Sequence, residues 1–254
     1  MNFSFNDITA VTYSWMQVRM TIGAVRNFRK FYPDIPMLVI DNGTLDGDMS
    51  TFGAIYGPMD QELMLDRDMD KLRKASEELN FKLIELGENL GHGSATDYAV
   101  WEAKTPLLLT MDNDIRIVKH GLIEEYLRMM NEDPENIFAV GPTYRSTDLG
   151  KNWVGLWFSL WQLYPIKRYH LTFSNLVVSL PEEIRHLFPN GAVHLEPGLI
   201  IDEALKSKYG HRTNKKEWKS VIYPLIDKIP ELVHLKVRDG DEEAKKKWLS
   251  LVDG

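Results

Sequence analysis

Short apolar runs that stop at acidic or amide turns set the tightest limit on what this chain can fold into. Pro36-Met37-Leu38-Val39-Ile40 halts at Asp41-Asn42-Gly43, and the run from Pro106 to Met111 halts at Asp112-Asn113-Asp114. Runs this short and continuous fit strands buried on both faces of a parallel sheet. Ile8 to Tyr13 is a further β-rich run, ending in polar Ser14, and Lys82–Leu86 and Ile137–Val140 read as strands too. Helical stretches lie between them. From Val18 to Phe31 the apolar Ile22, Val25 and Phe28 alternate with Arg26, Arg29 and Lys30, and Pro33 stops the pattern. Asp66–Asn80, Ser94–Ala103 and Leu122–Met130 are the other expected helices. Strands alternating with helices predict an α/β fold with a mainly parallel, twisted sheet flanked by helices.

In such sheets ligands bind beyond the carboxyl ends of the strands. Asp41, the Asn89-Leu90-Gly91 turn and Asp112-Asn113-Asp114 all lie there, so three polar turns should meet at one edge. After Gly150 the pattern changes. Trp153, Trp157 and Trp161 recur every four residues, as on one helix face or an aromatic loop. They either line the core or stack on a ligand. Phe173–Leu180 reads as a strand, and Asp202–Tyr209 as a helix. Asp241–Val252 reads as a closing helix with acids first and lysines later, matching the helix dipole. With no repeat and no low-complexity linker, residues 1–254 read as one domain: a first half, 1–118, and a second half, 119–254, that extends it.

Composition narrows the chemistry. The chain has 254 residues and no cysteine, which excludes disulfides, thiolate metal sites and a cysteine nucleophile. A net charge of −7 and a pI near 5.5 weigh against a nucleic-acid partner. The lysines between Lys206 and Lys219 read as a solvated face. The start, Met1 to Asp7, lacks the basic-then-apolar pattern of a signal peptide, and no uncharged run reaches the ~18–20 residues a membrane span needs. A cytoplasmic protein is expected.

Asp112 and Asp114 carry the most chemistry. Two carboxylates so close repel each other and call for a cation or a shared proton. A hard divalent ion with oxygen ligands is the usual answer, and Mg²⁺ or Mn²⁺ leaves positions open for substrate phosphates. The alternative is that both merely cap the next helix or face water.

The ordered set resembles the nucleotide-sugar glycosyltransferases of the GT-A fold, above all family 2. An opening strand ends near Thr12 and Tyr13. An apolar strand follows, ending Asp41-Asn42-Gly43-Thr44; then comes the loop Asn89-Leu90-Gly91-His92-Gly93, and then a strand ending Asp112-Asn113-Asp114. This resemblance implies a GT-A-type α/β fold: residues 1–118 hold the nucleotide sugar, and the second half forms an acceptor-side extension. It implies that Thr12 and Tyr13 line the base, that Asp41 accepts a hydrogen bond from base or ribose, and that Asn89, Gly91 and Gly93 form the loop beside them. Asp97 stands where the family often has Asn. Asp112 and Asn113 are implied at the ribose or sugar, and Asp114, with Asp112, at Mn²⁺ or Mg²⁺. Asp41 and Asn89 could equally be turn residues, and the glycines positions of positive φ.

The resemblance continues more faintly to about residue 235. Ile201-Asp202-Glu203-Ala204-Leu205 matches the place of the family's catalytic base, with Asp202 as base and Glu203 as fallback, although Ile201 and Ala204 replace two of the family's acids. His234 matches a late histidine that completes the metal shell, and could equally be a packed one. The implied reaction is a metal-dependent, inverting transfer of a sugar from a nucleoside diphosphate, commonly UDP, to an acceptor hydroxyl on a glycan, a lipid-linked molecule or a small molecule. One rival is a binding protein that keeps the nucleotide site without turnover. Another is a haloacid dehalogenase-type phosphotransferase, which normally carries Asp-x-Asp near its N-terminus. No Gly-x-Gly-x-x-Gly follows a strand, against a dinucleotide enzyme.

Overall fold

The computed structural model describes residues 2–47, 65–146, 151–174, 198–206, 218–223, 229–234 and 250. The apolar runs form the interior strands β1 (Ile8–Ser14), β2 (Met37–Asn42) and β4 (Leu107–Met111), almost wholly buried. β3 (Lys82–Leu86), which alternates charge with Leu and Ile, takes the exposed edge. These four are parallel, in the order β3-β2-β1-β4. Beyond β4 the sheet continues through β8 (Phe158–Gln162), β6 (Ile137–Ser146) and β7 (Lys151–Val154), antiparallel at each step. β9 (Lys219–Tyr223) adds to β6 in parallel.

Successive side chains of a strand point to opposite faces, so each buried strand feeds two cores. Ile8, Ala10, Val39, Leu107 and Leu109 face one layer, with helices α1 (Val18–Phe31), α2 (Met69–Glu78) and α4 (Leu122–Glu132). Val11, Leu38, Ile40 and Leu108 face the other, with α3 (His92–Glu102), α5 (Leu163–Arg168) and α6 (Leu199–Lys206). This is the expected α/β architecture of a mainly parallel central sheet between helices. A separate two-stranded ladder pairs β5 (Ile115–Ile117) with β10 (Leu232–His234), antiparallel, setting His234 opposite Ile115.

The tryptophans are the main correction. Trp153 lies on β7 and Trp161 on β8, both buried, and Trp157 lies in the connection between the strands. The three span two strands and their connection, so the interval of four reflects no single helix face. β6 runs on to Ser146, past the expected end at Val140. Residues 171–174 carry no regular structure, and 175–180 fall outside the described residues, as does the expected closing helix apart from Ser250. Among the described residues, no helix is long and apolar enough to cross a membrane.

Candidate active site

The chain leaves β1 for β2 on one side and later reaches β4 on the other, so a crevice opens where the strand order reverses. A cavity of about 320 Å³ occupies it. It is lined by Tyr13, Ser14, Trp15 and Gln17 after β1, Asn42 at the end of β2, Asn89, Gly91 and His92 before and in α3, and Asp112, Asn113 and Asp114 after β4.

Two turns are clipped together at its rim. The Asn42 amide donates to Asn89 Oδ1 at 2.9 Å, and Asn42 Oδ1 accepts from the Leu90 backbone at 3.0 Å. The backbone N–H of Gly91 also donates to Asn89 Oδ1, at 2.9 Å. Gly43 makes the clip possible. Its φ is +77°, and a Cβ there would stand 2.4 Å from the Glu88 carbonyl carbon. Gly43→Ala is therefore expected to cost about 2–4 kcal/mol in backbone strain and overpacking. For a chain this size that is a melting-temperature fall of roughly 5–15 °C, checked by calorimetry.

The carboxylate tip is held from behind. Asp112 N–H donates to the Trp157 carbonyl at 2.8 Å. Asn113 Nδ2 donates to Gln17 Oε1 and to Thr21 Oγ1, both at 3.1 Å. Arg116 is fully buried and donates to the carbonyls of Asn113, Ile115 and Met20 at 2.7, 2.9 and 3.1 Å. Burial pulls its guanidinium down to about 10, against the pull of Asp114's charge, so it stays cationic at neutral pH. His92 Nε2 lies 3.5 Å from Asp112 Oδ1, while Tyr13 sets its ring edge-on to the imidazole at 4.4 Å. The imidazole is 36% exposed, but Nε2 itself is covered. Burial lowers this group to about 4, with Asp114 opposing, so the ring is neutral at pH 7. Tyr13 Oη and Thr96 Oγ1 share a hydrogen bond of 2.8 Å, and burial raises the phenol far above its ordinary value.

Of the residues singled out from sequence, Tyr13, Asn89, Gly91, Asp112, Asn113 and Asp114 meet at the cavity. Thr12, Asp41, Gly93 and Asp97 do not line it. Thr12 is fully buried in β1. The Asp41 carboxylate is occupied by Thr44, whose N–H donates to Oδ2 at 3.1 Å and whose hydroxyl donates to Oδ1. Burial raises its pKa and these bonds hold it back. Gly93 packs under Phe173, where a Cβ would stand 2.0 Å from the carbonyl oxygen. Asp97 accepts from the Phe173 and Ser174 backbones at 2.7 and 3.2 Å and from the Thr172 hydroxyl, hooking that segment onto α3. Asp202 is buried on α6, 2.8 Å from Lys206 Nζ, and Glu203 is its neighbour along that helix. His234 sits by its backbone across the ladder from Ile115, the residue that follows Asp114.

Ser14, Trp15, Gln17, Asn42 and His92 were not singled out. Each adjoins or follows closely on a residue that was, so strand-end position was the available signal. Asp112 and Asp114 bring the hard oxygen donors that could hold a divalent cation. Among the described residues no three of His, Cys, Asp and Glu are grouped as a complete cage.

A parallel sheet whose reversal point carries two aspartates and amide-rich turns defines a GT-A type of architecture. A mannosyltransferase from Pyrobaculum calidifontis, solved with GDP-Man and Mn²⁺, matches with a TM-score of 0.51 at 12% identity, over 89% of this chain and 58% of its own. TarS of S. aureus matches with a TM-score of 0.44 at 14% identity, over 70% of this chain and 31% of its own. This chain thus spans 58% of the length of the first of these proteins. At such identities the likeness speaks for fold alone. A search of curated proteins found no match. The model of the glycosyl transferase family 2 matches residues 63–189, half of the sequence. The chain belongs to this family.

Proposed function

We propose that this chain is a glycosyltransferase that moves a sugar from a nucleoside-diphosphate donor to an acceptor hydroxyl, with Mn²⁺ or Mg²⁺ assisting at Asp112 and Asp114. The observation that carries the reading is the meeting of these two carboxylates with Tyr13, Trp15 and the Asn42–Asn89 clip in one cavity. Flat rings and amides suit a nucleoside, and paired carboxylates suit a cation shared with a diphosphate. Two protein carboxylates leave room for an ion to complete its shell with substrate oxygens.

In this reading Tyr13, Asn89 and Gly91 border the nucleoside, with Thr12, Asp41 and Gly93 shaping the strand end and loop around it. Asp112 and Asn113 lie toward the ribose or sugar, and Asp114 holds the ion, with position 234 close by. When bound, the ion offsets the charge that grows on the departing diphosphate. Asp202, or Glu203, takes the acceptor proton, and the transfer inverts the anomeric centre. The Pyrobaculum protein's complex with GDP-Man adds guanosine to uridine among the bases to test.

With GDP or UDP at about a hundredfold excess over Kd, together with Mn²⁺, the protein should gain about 2.7 kcal/mol. That is a rise of roughly 5–10 °C in a chain of this size. A thermal-shift panel of nucleoside diphosphates, with and without the metals, measures it. Flat melting curves across the whole panel would remove the donor-site reading.

A further inference from the structure

We infer that Arg116 is a positioning residue which fixes the geometry in which the Asp112–Asp114 tip meets its cation. The inference deepens the proposed function and rests on it. A guanidinium with no solvent contact is costly to bury unless its donors are satisfied. This one donates to three carbonyls among its partners: two from the turn and strand that bear Asp114, and the third, Met20, on α1. One rigid fork therefore ties the tip to the helix behind it.

Neighbouring bonds extend the tie in both directions. Asn113 reaches Gln17 and Thr21 on the α1 side. Asn27 of α1 accepts from the Ile117 N–H at 2.6 Å and donates to the Ile117 carbonyl at 2.9 Å. Because β5 pairs with β10, the same anchorage also fixes position 234 relative to Asp114. Lysine cannot copy this, since its donors radiate from one point on a flexible stem. Groups behind a metal site orient its ligands, and their loss commonly lowers metal affinity roughly ten- to a hundredfold.

The test compares wild type, Arg116→Lys and Thr21→Val. Arg116→Lys keeps the positive charge, so a changed affinity reports geometry. Thr21→Val keeps the side chain's shape and removes the bond from Asn113 together with the hydroxyl's own bonds to the Gln17 and Tyr13 carbonyls, so it loosens the same tie and serves if the lysine variant does not fold. Mn²⁺ binding is followed by the electron spin resonance of free Mn²⁺, in the presence of UDP and, separately, of GDP. Unfolding is followed in EDTA. We expect Arg116→Lys to raise the Mn²⁺ dissociation constant about ten- to a hundredfold and Thr21→Val to raise it a few-fold, both with cooperative melting. A purely structural arginine would lower the melting temperature in EDTA and leave Mn²⁺ affinity at the wild-type value in both variants, which would overturn the inference alone. Wild-type protein that binds no Mn²⁺ with either nucleotide would overturn the metal reading, and this inference with it.

Discussion

Asp114→Ala is expected to abolish a Mn²⁺-dependent rise in melting temperature and to lower sugar transfer by about three orders of magnitude. A metal contributes several kcal/mol to such a transition state, and about 4 kcal/mol corresponds to a thousandfold in rate. Asp114 lines the cavity, and its charge is felt by both His92 and Arg116. The three carbonyl bonds of Arg116 are made to backbone oxygens and not to the Asp114 side chain. Loss of the carboxylate does remove a negative charge near a buried cation, so the melting temperature without metal should fall as well. The comparison that matters is therefore the shift on adding Mn²⁺ with nucleotide, measured against each protein's own metal-free baseline. A full shift in Asp114→Ala would show that the ion sits elsewhere.

Asp202→Asn should leave the nucleotide-dependent shift intact and cost about 10²- to 10⁴-fold in turnover, the usual range for a general base. The substitution is nearly the same size and removes only the charge. Its partner Lys206 has a side chain 37% exposed and can return to water once the charge is gone. Asp202 does not line the cavity among the described residues, and the base role comes from its match to the family motif. Steady-state kinetics with donor hydrolysis as the readout decides the matter: turnover equal to wild type would leave Asp202 as a helix residue paired with Lys206. Glu203→Gln would then be the next variant to measure.

The first half of the chain was legible because its signals are local. Continuous apolar runs at residues 36–40 and 106–111 can satisfy two covered faces only inside a parallel sheet, and the structure has them there. Helix α1 follows from Ile22, Val25 and Phe28 at helical spacing ahead of Pro33. What escaped was set by partners distant in sequence. The antiparallel run of β8, β6 and β7 depends on pairings such as Leu108 with Trp161 and Tyr144 with Trp153, which no local period encodes. At the site, proximity to a strand end was readable but side-chain direction was not. Asp41 and Asn42 are adjacent, yet the acid turns to Thr44 and the amide reaches the cavity. Arg116 resembles any charge after a turn until three carbonyls are found around it.

The ladder behind the carboxylates has a consequence for biosynthesis. A ribosome releases β5 long before Leu232 to His234 exist, and domains begin to fold from the end that emerges first. The sheet edge that carries the carboxylate turn can therefore take shape while its rear brace is still missing. That brace emerges well after β5, so a nascent chain holds the outline of the pocket before the ladder that backs it has closed.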